Sequence, residues 1–314
     1  MTKLPNHFLL ASSPHVHTQI STQVIMGMVL ASLVPAGLAG AFFLGWRSLL
    51  VVAVCVVACV LSEYLWQRLM GQETTVSDLS AAVTGLLLAY NLPPSIPLWM
   101  AVCGCVFAII VVKQVFGGLG CNIVNPALAA RAMMLISWPV GMTTWTVQGV
   151  SGATPLALMK TADAAGLSAW SLWDLFFGRM GGCIGETSSL LLLFGGVFLV
   201  VQKVISWRIP VIYILTACIL GALLGHGGGM EPLREMLSGG LLLGGIFMAT
   251  DYTTSPVTAK GQVLFALGCG ILTALIRSFG SYPEGVSYSI LIMNTAVPLI
   301  DKVTKPRILG EAKK

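Results

Sequence analysis

Long apolar stretches alternate with short polar breaks along the chain, giving candidate membrane spans over 23–45, 49–70, 77–91, 96–114, 122–138, 187–205, 210–226, 236–250, 262–279 and 284–303. A helix needs about 20 residues to cross the hydrocarbon core. The third, fifth and eighth stretches are shorter and broken by glycine, alanine or proline. Such half-length segments persist in a bilayer only where their loose backbone ends are buried in protein or line a cavity, so they are expected to mark the interior. The first run begins near Val24, after a polar stretch holding His7, His15 and His17. It is longer than a signal-peptide core and is expected to stay as a span.

The pattern also repeats. LSAAVTGLLLAYNLPPS from Leu79 is followed by a span ending in KQVFGGLG at Lys113, and LSGGLLLGGIFMATDYTTS from Leu237 by a span ending in IRSFGSYPEG at Arg277. Five spans separate equivalent points, so the two copies enter the membrane in opposite directions, as in inverted-topology repeats. The expected fold is an all-α integral membrane protein of about ten helices, two inverted five-helix repeats with broken half-helices. Its parts are an N-terminal cytoplasmic segment (1–22), a first repeat (23–138), an outer-face loop (139–186), a second repeat (187–303) and a cytoplasmic tail (304–314).

Composition sharpens the class. The 314 residues are 56% apolar and 9% charged, against about 25% charged in a soluble domain, and mean hydropathy is +0.88. Seventeen basic minus twelve acidic side chains give +5, with no basic stripe or aromatic-basic interleaving, which excludes nucleic-acid binding as a function. With both termini in the cytoplasm, eleven Lys and Arg fall inside and five outside (Arg47, Lys160, Arg179, Arg234 and Arg277), Arg131 lying within a span. That orientation obeys the excess of positive charge in cytoplasmic loops and sends the long loop to the outer face. The cysteines sit in apolar runs (Cys55, Cys59, Cys103, Cys105, Cys218, Cys269) or beside glycines (Cys121, Cys183), without a CxxC, and read as packing residues.

Three polar constellations remain. In FGGLGCNIVNPALAAR, Gly117 and Gly118 permit close backbone approach, and Asn122 and Asn125 stand before a helix whose first turn begins at Pro126. A helix cap and a ligand site are both open readings there. Arg131, about one and a half turns further on, calls for a ligand or carboxylate partner within the span. In GGCIGETSSLL and MATDYTTSPVT, Glu186 and Asp251 are either helix caps or, with Glu63, groups that bind a cation or relay a proton. The third constellation is SGAT, Ser151, Gly152, Ala153 and Thr154, a turn leading into a helix headed by Pro155.

Four stretches in order, FGGLGCNIVNPA (116–127), SGATPLA (151–157), GGCIGETS (181–188) and FMATDYTTSPVTAKG through FGSYPEGVSYSILIMNTAVPLIDKVTKPR (247–307), carry a resemblance over nearly the whole chain. The chain resembles the D subunits of the Rnf complexes, ion-translocating ferredoxin:NAD oxidoreductases of bacterial or archaeal cytoplasmic membranes. These are related to the B subunits of the sodium-pumping NADH:quinone oxidoreductases, whose longer N-terminal extension is lacking here. The resemblance implies FMN attached through its phosphate to Thr154 within Ser151, Gly152 and Ala153, placed there by a flavin transferase on the outer face. The family pattern commonly opens with Asp six residues before the threonine, where this sequence has Gln148. It further implies a urea-channel-like architecture and a second, noncovalent flavin, riboflavin, near Gly117, Gly118, Asn122 and Asn125. Also implied are partners in the lipid bilayer, the A, B, C, E and G subunits of the complex, and redox-driven Na⁺ or H⁺ transport. The competing reading from the residues is a solute or ion channel of inverted-repeat architecture without redox chemistry.

Overall fold

The computed structural model describes residues 21–147, 150, 151, 156, 171–178, 181–224, 231–280 and 285–305. The first half runs α1 (Thr22–Leu44), α2 (Trp46–Leu69), a short α3 (Ser80–Tyr90), α4 (Leu98–Val106) prolonged by a π-helical segment (Phe107–Gln114), and α5 (Pro126–Ser137). The connection holds α6 (Pro139–Thr143), a two-residue β-hairpin pairing Thr146 with Ser151, and α7 (Leu172–Phe177). The second half runs α8 (Ser189–Val201), α9 (Arg208–Leu223), α10 (Glu231–Leu237), α11 (Leu241–Leu243) prolonged by a π-helical segment (Gly244–Met248), α12 (Ala259–Phe279) and α13 (Val286–Thr304).

Local chemistry sets several of these limits. Ser21, Asn125, Ser188 and Thr258 each cap a helix by accepting from backbone N–H groups one turn on. Gly45, at φ +92° between α1 and α2, makes the hairpin turn. Among the described residues three helices, α1, α2 and α12, are long and apolar enough to cross a membrane by themselves. The fifth crossing, expected over 122–138, is helical only from Pro126, and the eighth, expected over 236–250, is broken at 238–240 between Glu231–Leu237 and the helix over 241–248. In the irregular part of the fifth, Asn122 and Asn125 are buried while Ile123 is exposed, and in that of the eighth Ser238 and Gly240 are buried. Glu231–Leu237 begins five residues before the expected eighth span and overlaps it at Met236 and Leu237.

The two halves repeat with inversion. α2 packs on α3 and α4 as α9 packs on α12 and the π segment after α11, while α1 meets α8 and α5 meets α13 between halves. Thr22 at the start of α1 and Leu199 near the end of α8 line one cavity, so the first helices of the halves run oppositely. α3 is buried all round from Ser80 to Tyr90 except Ala82. Outward positions stay apolar and exposed, among them Phe42, Leu69, Phe194 and Val303, as lipid-facing surfaces are. At the cavity end lie Arg68, Lys113, Lys203, Arg208, Lys260, Lys302 and Lys305, against Arg47, Arg234 and Arg277 at the loop end.

Candidate functional site

Where the half-helices of the two repeats meet, a cavity of about 250 Å³ opens at the end carrying Thr22. Its wall is apolar along Ile25, Met26, Leu87 and Phe247, and polar at Lys113, Asn122, Asn125, Asp251 and Thr253. Gly117 and Gly118 hold left-handed conformations, φ +117° and +88°, and turn the chain from the end of α4 back toward this cavity. They do not line it.

Asn125 joins the halves. Its Oδ1 accepts from the N–H groups of Ala127 and Leu128 (3.1 and 3.2 Å), capping α5, and its Nδ2 donates to the Met248 carbonyl (3.3 Å) at the end of the opposite half-helix. The ligand and cap readings of this residue therefore coexist: it borders the cavity and spends its amide on backbone groups that broken helices leave open. The amide of Asn294, on α13, lies within 3.2 Å of the carbonyls of Ile290 and Thr254 and the N–H of Asn125. Asn122 donates to the Val124 carbonyl at 3.2 Å and is buried beside the Asp251 carboxylate.

The three acidic candidates do not converge. Asp251 accepts from the hydroxyls of Thr253 (3.1 Å) and Thr254 (3.3 Å) at the break after α11. Glu63 is ion-paired with Lys113 at 2.8 Å and accepts from Gln114 Nε2 at 2.7 Å, all three buried. Lys113 Nζ also donates to Ser80 Oγ at 2.6 Å, at the start of α3. Glu186 lies toward the other end, in a short 3-10 turn (Ile184–Glu186), where its Oε2 accepts from the Cys183 N–H (3.4 Å) and its Oε1 has no hydrogen-bond partner among the described residues.

Arg131 is the buried hub between cavity and loop. Its Nη1 donates to Asn91 Oδ1 (2.8 Å) and Ser287 Oγ (3.1 Å), and its Nη2 to Cys183 Sγ (3.7 Å), so it ties α3, α13 and the inter-repeat segment together. A Cβ added at Gly240 would lie 3.2 Å from Glu186 Oε1 and 3.7 Å from Arg131 Nη1. Both charges therefore border one small space at the head of α11. Cys183, expected to be mere packing, also donates to the Asn91 carbonyl (3.3 Å).

Of the loop motif, Ser151 is seen as the last residue of the hairpin, and Gly152, Ala153, Thr154 and Gln148 lie outside the described residues. Leu156 is buried at 5% exposure, its Cδ2 3.1 Å from where a Cβ on Gly239 would sit. Leu156 itself is thus held at the end of the molecule opposite the cavity, where Arg47 donates to the Ser95 carbonyl and Ser95 to that of Thr144. Lys113, Ser80, Thr84, Asn91 and Asn294 were not singled out from the sequence as site residues. Their signal was there: polar side chains at the ends of half-helices or inside an apolar run.

The model of the NQR2, RnfD, RnfE family matches residues 9–310. The chain is 50% identical over 309 residues to the D subunit of the Na(+)-translocating ferredoxin:NAD(+) oxidoreductase complex of Acetobacterium woodii, covering 96% of this chain and 95% of that one. It is 45% identical over 320 residues to the D subunit of the proton-translocating ferredoxin:NAD(+) oxidoreductase complex of Clostridium ljungdahlii, covering 97% of each. To the D subunit of the ion-translocating oxidoreductase complex of Salmonella typhimurium it is 37% identical over 349 residues, covering 98% and 99%.

Proposed function

The chain belongs to the NQR2, RnfD, RnfE family, and from that premise we propose that it is the flavin-bearing membrane subunit of an ion-translocating ferredoxin:NAD oxidoreductase. It works only inside that complex, beside its A, B, C, E and G subunits, in a cytoplasmic membrane. FMN is joined by a phosphoester to Thr154, on the outer face, by a flavin transferase. Bound there, the flavin supplies the electron-accepting and electron-donating chemistry that amino-acid side chains lack.

The observation that carries this reading is the burial of Leu156, two residues past Thr154 in the chain, at the loop end, the end poorer in Lys and Arg. Positive charge gathers on the cytoplasmic side, so that end faces outward, where the resemblance puts the transferase. The chain's own contribution is positional. In the chain, the pairing of Thr146 with Ser151 precedes the modified residue and the contact of Leu156 with Gly239 follows it.

The cavity at the other end takes the second, noncovalent flavin, riboflavin, with Asn122 and Asn125 at its polar edge and Phe247 and Leu87 along its apolar wall. Buried amides beside an apolar slot suit a planar ring that carries its own donors and acceptors on one edge. Coupled cation movement draws on the carboxylates near the broken helices, Asp251 and Glu63 on the cavity side and Glu186 on the loop side.

The test is a denaturing gel of membranes from cells that express the chain with a flavin transferase, viewed under ultraviolet light. A fluorescent band near 33 kDa that disappears in Thr154→Val is expected. A dark wild-type band favours a channel of the same architecture without redox chemistry.

A further inference from the structure

We infer that the groove between α8 and α9 seats an anionic phospholipid, with one acyl chain lying in the groove and the phosphate held at its mouth by Lys203 and Arg208.

The groove arises where the second repeat departs from the first. In the first, Gly45 alone connects α1 to α2, and the two helices pack on each other. In the second, residues 202–207 separate α8 from α9, and among the described residues these two helices scarcely touch. α8 leans inward instead: a Cβ on Gly196 would lie 2.7 Å from Ile246 Cγ2 in the π-helical segment. A slot of about 410 Å³ stays open, lined by Val197, Val200 and Val201 of α8, Val211 and Leu215 of α9, and Ile246. No charged side chain lines it. Val197, Val201, Val211 and Leu215 are exposed, so the slot faces the lipid. Its α8 wall runs from Leu193 to Val201, about 12 Å at 1.5 Å per residue. That is most of the half-thickness of the hydrocarbon core, about 15 Å.

The mouth has the opposite character. Trp207 lines it and is 56% exposed, as aromatic residues at headgroup depth are. Arg208 Cζ lies 6.0 Å from the Trp207 ring centroid. Lys203, just past the end of α8, is exposed and holds φ +57°, at a helix end where glycine is the usual residue. Apart from the Trp207 ring, neither side chain has a hydrogen bond or an ion pair among the described residues.

The other repeat makes the contrast plain. Trp46 and Arg47 open α2 as Trp207 and Arg208 open α9, but Arg47 is spent on the carbonyls of Ser95 (3.3 Å) and Ile96 (3.4 Å). Arg208, at the opposite end of the molecule, keeps its guanidinium for a partner outside the chain. Two cations and an interfacial tryptophan over an apolar slot match a phosphate joined to an acyl chain, as basic pockets between membrane helices do on the cytoplasmic side. A helix from another subunit would fill the slot and leave both cations without a counter-charge. Ile205 lines this groove and also the cavity that Asp251 borders, and the Tyr252 hydroxyl donates to the Val204 carbonyl. A seated lipid therefore backs the wall of that cavity on its membrane side.

The test uses the whole complex, stripped of lipid in detergent and titrated with dioleoyl phosphatidylglycerol or dioleoyl phosphatidylcholine, which share their acyl chains. Bound lipid is counted by native mass spectrometry. The wild type is expected to bind phosphatidylglycerol the more tightly, and Lys203→Gln with Arg208→Gln to bind it about thirtyfold more weakly, with phosphatidylcholine unaffected. If the double variant does not assemble, Lys203→Gln alone is expected to weaken phosphatidylglycerol about fivefold. Val197→Trp, which fills the slot from an exposed position, is expected to weaken both lipids. A photoreactive diazirine side chain at position 197 is expected to capture phosphatidylglycerol. Equal affinity of the wild type for the two lipids, or unchanged phosphatidylglycerol binding in the charge variants, overturns the headgroup site. Unchanged binding of both lipids in Val197→Trp, or capture of another subunit's polypeptide at position 197, overturns the groove as the seat of the chain.

Discussion

Lys113 and Glu63 are buried together at 2.8 Å with Ser80 and Gln114 around them, so each charge depends on the other for stabilisation. Removing one partner of such a pair leaves an uncompensated charge and costs about 3–5 kcal/mol, whereas replacing both with apolar groups is often neutral. Lys113→Met is therefore expected to lower the melting temperature of the detergent-purified chain sharply, and Lys113→Met with Glu63→Leu to recover most of it, as read by dye-monitored unfolding. An unaltered melting point in the single variant would mean that the pair is not buried. The residue-level signals read from sequence were uneven for a physical reason. Asn125 and Arg131 announced themselves as polar groups inside apolar runs. Lys113 was counted only as a basic residue at a span's end, because burial is a property of what packs on a position and not of its place in the run. Asn122 borders the cavity beside Asp251 and donates to the Val124 carbonyl within its own turn at 3.2 Å. Asn122→Leu is expected to lower noncovalent flavin in the purified complex while the Thr154 adduct persists, measured by flavin extraction with and without denaturation. Equal flavin release from both proteins would remove that residue from the site.

At the scale of elements, the broken helices work because backbone can approach backbone. A Cβ on Gly85 in α3 would lie 2.8 Å from the Cys55 carbonyl oxygen and 2.9 Å from the Val56 Cα on α2. Main-chain atoms cannot rotate away, so Gly85→Val should abolish accumulation of folded protein in membranes, whereas Gly27→Ala, with nothing within 4 Å of the added carbon, should accumulate normally. Size-exclusion profiles of fluorescently tagged variants distinguish the two. The short glycine-rich runs gave away the half-helices, since their length and composition are intrinsic. The two π-helical segments did not show. Val115 N–H bonds back to Ile110, five residues away, and each residue added to a turn rotates the following face by about 100°. Lys113 and Gln114, which meet Glu63, lie within that wider turn, and it is set by tertiary contacts that no local pattern encodes.

For the molecule as a whole, the inverted repeat was legible because both copies keep the order of half-helix, polar break, long span, basic residue and Phe-Gly. The meeting of the copies through Asn125, Met248, Asn294 and Arg131 was not, because it joins positions far apart in the chain. The orientation makes a direct prediction. In a cysteine-free background, Trp46→Cys at the loop end should react with a membrane-impermeant maleimide added to intact cells, and Gln202→Cys at the cavity end should react only after the cells are opened. Both sites are exposed, so the reverse pattern would invert the assignment of Thr154 to the outer face. The account turns most on the flavin ester itself, and intact-mass analysis of the chain purified with its transferase tests it directly. The wild-type chain is expected to be heavier than its sequence by one FMN less one water, with the increment mapping to the peptide containing Thr154 and missing in Thr154→Val. A wild-type chain at its unmodified mass, from cells whose transferase modifies another substrate, would contradict the account.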